Sequence, residues 1–202
     1  VNGEGGDRDV ATVVRFLRDL AGEEDVAFDY ETNSLRPYWR VLKDSQHGTR
    51  VDHGAAGFVP KLLTVAVGTR DRTIAFPIDH PHSGWSAGQR GTVLAAWSDF
   101  LRSYPGIKVC HKASFEQEWT AEVIDVNLIR STKWGCTLAQ AYCLDERSGM
   151  HSLDTLIFLN FGFWLKALSP FAGDDEMSNL ENAVLDDVLR YNALDSKYTH
   201  AL

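Results

Sequence analysis

The chain has 202 residues, 44% of them hydrophobic, and a net charge of −8 from 20 Lys plus Arg against 28 Asp plus Glu. That is enough apolar sequence for one substantial core, while the acidic balance opposes a general affinity for the phosphate backbone of nucleic acid. No stretch stays apolar for the roughly eighteen residues a membrane helix needs, and Cys110, Cys136 and Cys143 lack the Cys-x-x-Cys spacing of a zinc knuckle or the even number of a disulfide framework.

Residues 1–7 are glycine-rich and without apolar period, and are expected to be a flexible linker or a cut end, with no signal peptide. From Asp9 to Leu20, the residues Val10, Val13, Val14, Phe16, Leu17 and Leu20 recur at helical spacing behind an Asp cap, predicting a helix that ends near Gly22. Val26-Ala27-Phe28 predicts a strand running into Asp29. The stretch from Leu35 to Pro60 is polar, has no clear period and exceeds an ordinary connection, so it either covers a site or is a tolerated insertion. Lys61–Val67 and Thr73–Phe76 are β-branched runs on either side of a charged turn and predict a hairpin.

Thr92–Leu101 predicts a helix, Ile107–Cys110 a buried strand, and Ser114–Val123 a helix capped by Ser114. Beyond Cys136 the spacing is helical, over Cys136–Leu144, Ser152–Asn160 and Leu180–Leu202, the last with a break near Asp186. The sum is one α/β domain over residues 1–202, a central mixed sheet flanked by α-helices.

Asp29 and Glu31 stand two apart at the end of the first strand, and the two-residue side-chain period of a strand aims both carboxylates at one face. Two anions held that close raise each other's pKa or recruit a cation, and hard oxygen donors favour Mg²⁺ or Mn²⁺ over zinc. An isolated Asp-x-Glu more often marks a solvated strand end. Distant features change that weight. Glu116 falls in the first turn of a helix that follows a strand, where the helix dipole favours its charged form, and Tyr191 and Asp195 share a face one helical turn apart.

The segments Phe28-Asp29-Tyr30-Glu31-Thr32-Asn33-Ser34-Leu35, His111-Lys112-Ala113-Ser114-Phe115-Glu116 and Tyr191-Asn192-Ala193-Leu194-Asp195, in this order and spacing, resemble three motifs of one family. It is the 3′–5′ proofreading exonuclease domain of family A DNA polymerases, within the DnaQ-like, DEDDy group of RNase H-like folds. Thr137–Arg147 with His151–Leu156 resembles the family's helical stretch between the second and third motifs, particularly in phage polymerases, so the resemblance covers nearly the whole chain.

The resemblance implies an RNase H-like fold and metal-dependent removal of nucleoside 5′-monophosphates from the 3′ end of single-stranded DNA. It implies catalysis by Asp29, Glu31, Glu116, Tyr191 and Asp195, with two Mg²⁺ or Mn²⁺ ions. Asp29 would bridge both ions, Glu31 and Asp195 would complete the first site, Glu116 would serve the second, and Tyr191 would orient the attacking water. Thr32, Leu35, His111, Lys112 and Phe115 are the implied substrate contacts, Leu35 as a wedge against the terminal bases and Phe115 near the sugar; His151 is a further phosphate contact. A linked or associated polymerase domain, a monomeric state, no membrane, and the cytoplasm of a bacterial or phage-infected cell, or another reducing compartment, complete the expectation.

Three positions depart from the family pattern: Lys112 stands where Asn is usual, Glu116 where Asp is usual, and Cys136 where an Asp usually opens the next helix. Phe158, Phe161, Phe163, Trp164 and Phe171 either stack bases or fill core, and their helical spacing favours core. Two other readings stand beside the polymerase one. The first is a stand-alone exonuclease similar to RNase D or the Werner-type nucleases, acting on RNA or DNA. The second is a catalytically impaired structural or strand-binding module.

Overall fold

The computed structural model describes residues 1–37, 40–44, 48–52, 59–168 and 180–202, so Phe171 and part of the Leu35–Pro60 stretch lie outside the described residues. The chain opens with α1 (Asp7–Asp19) and β1 (Asp25–Thr32), followed by the short strands β2 (Arg40–Asp44) and β3 (Gly48–Asp52) and the hairpin β4 (Leu62–Gly68) and β5 (Thr73–Pro77). Next come α2 (Ala87–Ser103), β6 (Ile107–Cys110), α3 (Ala113–Thr120), α4 (Leu128–Ser131) and β7 (Lys133–Cys136). Among the described residues, α5 (Thr137–Leu144), α6 (Leu153–Phe161) and α7 (Leu185–Ala201) follow.

Among the described residues, five strands form one sheet in the order β5-β4-β1-β6-β7. β4 runs antiparallel to both β1 and β5, whereas β1, β6 and β7 are mutually parallel, which makes the mixed sheet the sequence predicts. β1 sits at the centre, and its carboxyl end opens toward the same edge as that of β6. Crevices outside the carboxyl ends of parallel strands are where α/β sheets place their ligands.

The two faces of the sheet are packed differently. Val26, Phe28 and Tyr30 point to one side, where Val65, Val67 and Phe76 join Val13 and Leu17 of α1 and Val93, Trp97 and Leu101 of α2 in the main core. Phe28 meets Trp97 edge-on at 5.3 Å between centroids, and Trp97 stacks on Phe100 at 5.6 Å. Each fully buried side chain of this size contributes about 1.5–3 kcal/mol. On the opposite face the residues in register are small: Ala27 faces Gly68, Asp29 faces Ala66, and Ala66 faces Ala75. This shallow surface lets α7 lie close along β1, β4 and β5.

Several boundaries differ from expectation. α2 begins at Ala87 rather than Thr92, because Ser86 and Gln89 form a reciprocal capping box; Gly88 and Gly91 hide the helical period there. At α3 the cap position is Lys112, not Ser114, and the helix loosens into a wider turn at Ala121–Asp125. Cys136 ends β7, whose four residues are too few to show a period, and α5 starts one residue later. β2 and β3 pair antiparallel inside the stretch expected to be irregular. The break near Asp186 is the passage from a single turn at Leu180–Asn182 to the start of α7 at Leu185.

Residues 1–6 lie against the body: Gly84 N–H donates to the Asn2 carbonyl at 3.0 Å. Gly3, at φ 89°, approaches Trp85 so closely that a Cβ would sit 2.8 Å from a ring carbon. No helix among the described residues is long and apolar enough to cross a membrane.

Candidate active site

Strand alternation puts Asp29 and Glu31 on the α7 face of β1, opposite Ala66 and Thr64 of β4. α7 meets that face with a stripe of Val188, Asn192, Ser196 and Thr199, all buried, and the stripe is mostly polar because it docks on backbone and on carboxylates. Ser196 Oγ donates to the Ala27 carbonyl at 3.0 Å, fixing the helix one turn beyond the acidic pair. Asp195 follows from that docking. One carboxylate oxygen each from Asp29, Glu31 and Asp195 lie within 4.8 Å of one another.

Glu116 reaches the same place from α3. It is 2% exposed, and its Oε2 is buried with no hydrogen-bond partner among the described residues. Burial pushes its carboxyl well up, and the nearby Asp29 carboxylate adds to the shift. The other acids behave alike. Asp29 is raised by burial, against the opposing hydrogen bond from Asn192, and Asp195 is raised by burial and then by Asp29, Glu31 and Asp154. Two like charges 4.8 Å apart repel by about 3 kcal/mol at an effective dielectric near 20, so the cluster favours either a shared proton or a cation.

Asn192 is the residue that sequence reasoning missed. Its Nδ2 donates to Asp29 Oδ2 at 2.7 Å, while its Oδ1 accepts from the Thr64 hydroxyl at 3.2 Å. The amide therefore fixes which way the Asp29 carboxylate points, through a charge-assisted bond of about 1.5–3 kcal/mol. Its position beside Tyr191 in the third motif was the available signal. Tyr191 itself lies on α7, half-buried, one turn before Asp195.

The expected substrate contacts divide into two groups. Leu35 and Phe115 are half-buried, on the segment leaving β1 and on α3, where Phe115 packs against Trp119 and the main core, and Lys112 is exposed at the start of α3. Thr32 is buried, with its hydroxyl donating to the Ser34 carbonyl at 2.7 Å. His111 pairs through Nδ1 with Thr137 Oγ1 at 2.9 Å, and burial lowers its pKa to about 4. His151 is buried, stacked on Tyr142 at 3.6 Å between centroids and bonded to the Asp145 carbonyl. The structure thus brings Asp29, Glu31, Asp195 and Glu116 together and turns Thr32, His111 and His151 toward local backbone or neighbouring rings.

The departures from the family pattern also find their places. The Cys136 thiol donates to the His111 carbonyl at 3.4 Å, bracing the turn that precedes α3. Arg36, just past Leu35, pairs with Glu118 on α3 and so ties the segment leaving β1 to that helix. Of the aromatic group, Phe161 and Phe163 pack on Tyr198 of α7, whereas Phe158 and Trp164 stack on each other at 4.3 Å and remain partly exposed.

Solved structures that share this fold include several nucleases. A structure described as the apo form of a nuclease aligns over 96% of this chain and 72% of its own, with TM-score 0.56 and 16% identity. Escherichia coli RNase D, an exoribonuclease involved in structured RNA processing, aligns over 93% of this chain with TM-score 0.56 and 14% identity. This chain spans only 40% of that RNase D chain. The EXO domain of Aedes aegypti Nibbler aligns over 92% of this chain and 78% of its own, with TM-score 0.56 and 16% identity. At such identities the likeness is one of fold, and the fold is RNase H-like. No curated protein matches the chain significantly. A family model described as 3′–5′ exonuclease matches residues 8–202, nearly the whole length, and the chain belongs to that 3′–5′ exonuclease family.

Proposed function

We propose that this domain removes nucleoside 5′-monophosphates one at a time from the 3′ end of single-stranded DNA, as the proofreading domain of a DNA polymerase does. The observation that carries the reading is the convergence of Asp29, Glu31 and Asp195 oxygens within 4.8 Å, beside a buried Glu116 oxygen with no partner among the described residues.

That donor set fits hard divalent cations, since the three converging ligand groups are all carboxylates, and the orphaned buried oxygen of the neighbouring Glu116 accounts for itself as a ligand. Asp29, Glu31, Asp195 and Glu116 would hold two Mg²⁺ or Mn²⁺ ions, which when bound supply Lewis-acid polarisation of the phosphodiester and of a water molecule. Asn192 keeps the Asp29 carboxylate oriented. Tyr191, one turn before Asp195, positions the attacking water by its hydroxyl. Leu35 and Phe115 separate and seat the terminal nucleotide. The hydroxyl of water joins phosphorus as the bond from phosphorus to the 3′ oxygen breaks, and that oxygen takes the remaining proton.

A second reading has one specific observation in its favour: the fold-level relatives include RNase D, an exoribonuclease. Matched 5′-labelled DNA and RNA strands, incubated with Mg²⁺, with Mn²⁺ and with chelator, separate the two. The expected result is stepwise shortening of DNA from the 3′ end only with added metal. Asp29→Ala and Asp195→Ala should each lower the rate by at least about 10³-fold while keeping the wild-type circular dichroism spectrum. Faster shortening of RNA would transfer the assignment to an exoribonuclease, and full activity in either variant would remove the active-site assignment.

A further inference from the structure

Thr64 of β4 carries a hydroxyl on the carboxylate face of the sheet, in register with Glu31 of β1. The ladder keeps this register through Glu31 and Thr64 and slips by one residue just beyond, where Thr32 faces Leu62. Slips of this kind bend a strand and re-aim the side chains beside them. Thr64 is therefore the last β4 residue in register with the acidic end of β1. It is fully buried, as is Asn192 of α7, so neither side chain can exchange its partner for bulk water. A β-branched side chain is also restricted at χ1, which keeps the hydroxyl in place.

Three side chains stand in series. The Thr64 hydroxyl donates to Asn192 Oδ1 at 3.2 Å, and Asn192 Nδ2 donates to Asp29 Oδ2 at 2.7 Å. An ionised carboxylate only accepts, so Asp29 requires the NH₂ end of the amide, and the carbonyl end must then face Thr64. There the hydroxyl satisfies a buried oxygen. Without it that oxygen loses this partner, the amide gains by rotating toward another donor, and Asp29 loses the bond that aims it. Hydrogen bonds in series also polarise one another, so a hydroxyl on Oδ1 strengthens the donation from Nδ2.

We propose that Thr64 is a positioning residue for the cation site: through Asn192 it holds the Asp29 carboxylate in the orientation that receives a divalent ion, before any ion arrives. The assignment rests on the divalent-cation reading of the cluster given above. It requires no contact of Thr64 with ion or substrate. Groups that orient metal ligands in this way typically change metal affinity by about 10–100-fold when they are removed.

The test titrates Mn²⁺ into the metal-free protein by calorimetry, for wild type, Thr64→Val, Thr64→Ser, Asn192→Ala and the double variant Thr64→Val/Asn192→Ala. Valine keeps the β-branched shape and suits a strand, and circular dichroism checks that each variant folds. Thr64→Ala carries the same expectations should the valine variant not fold. Thr64→Val should bind Mn²⁺ about tenfold more weakly, and Thr64→Ser, which retains the hydroxyl, should stay close to wild type. The double variant should bind no more weakly than Asn192→Ala, because Thr64 acts through the amide. On a labelled single strand Thr64→Val should lose rate at low Mn²⁺ and regain it at saturating Mn²⁺ with KM for the strand unchanged, a repair that metal would not make to damaged packing. If Thr64→Val binds Mn²⁺ as wild type does, or if the two substitutions weaken binding additively, the Thr64 assignment is overturned and the cation site stands. If wild type binds no Mn²⁺, the cation site falls and the Thr64 assignment with it.

Discussion

Burial has taken His111 out of the range in which histidine usually titrates. Its imidazole is held by Thr137 and by the backbone of His151, and desolvation lowers its pKa to about 4. In the unfolded chain the same ring binds its proton near pH 6.5. Between those values the unfolded state holds more protons than the folded one, so stability contributed by neutral His111 is complete above about pH 6.5 and is lost as pH falls toward 4. A shift of this size corresponds to about 3 kcal/mol. Asp29, Glu116 and Asp195 work in the opposite sense, because their raised folded values favour the protonated fold as pH drops. The difference between urea-unfolding curves of wild type and His111→Gln at pH 7 and pH 4.5 isolates the histidine. Wild type should lose more stability than the variant on acidification, and parallel losses would show that His111 titrates normally. At this scale Asp29 and Glu31 were legible, because a strand's period needs only local sequence. The work of Asn192 was not, since its partners Asp29 and Thr64 come from two strands far away in the chain.

The site exists because α7 fits a sheet face of small residues. Val188, Asn192, Ser196 and Thr199 recur at helical spacing and are buried, Asn192 and Ser196 bonding to β1 and β4, while Leu185, Leu189 and Ala193 pack on Ala66 and Ala75. The helix was readable as a periodic stretch, and its break was too. Which face it presents was not, because a buried stripe with Asn, Ser and Thr reads as polar surface. β7 and the β2–β3 pair escaped for another reason, being too short to reveal a two-residue alternation. Ala66 lies in register with Asp29 and packs with Leu185 and Leu189, so a larger side chain there must lift α7. Ala66→Leu should cost about 1–3 kcal/mol of stability by overpacking. It should also move Asp195 away from Asp29, and a misplacement near 1 Å is enough to lower kcat by about 10²-fold. Unfolding curves and single-turnover rates on a labelled strand check the pair of effects. Reduced stability with an undiminished rate would mean that the helix position does not govern the carboxylates.

Over the whole molecule, the charge distribution links folding to cation binding. Several cations are engaged in surface pairs, such as Lys61 with Glu181 at 2.6 Å and Arg90 with Asp79 at 2.6 Å, which contribute about 0–1 kcal/mol each, and the acids of the cluster stay raised by burial and by one another. The cluster's repulsion is therefore a cost carried by the metal-free fold. A cation that binds only the folded state adds RT ln(1 + [L]/Kd), about 2.7 kcal/mol at a hundred times Kd. For a chain of this length that raises Tm by roughly 5–10 °C. Scanning calorimetry at pH 7.5 should show this rise with Mn²⁺ or Mg²⁺ and its reversal by chelator, whereas potassium chloride of equal ionic strength should give much less, because screening acts weakly on buried charges. Asp195→Ala should abolish the metal-dependent rise, yet its metal-free Tm should equal or exceed that of wild type, since one like charge has been removed from beside Asp29 and Glu31. A metal-dependent rise that survives in Asp195→Ala would place the cation elsewhere on this acidic surface. A metal-free Tm well below wild type would show that Asp195 stabilises the fold by its packing more than it strains it by its charge.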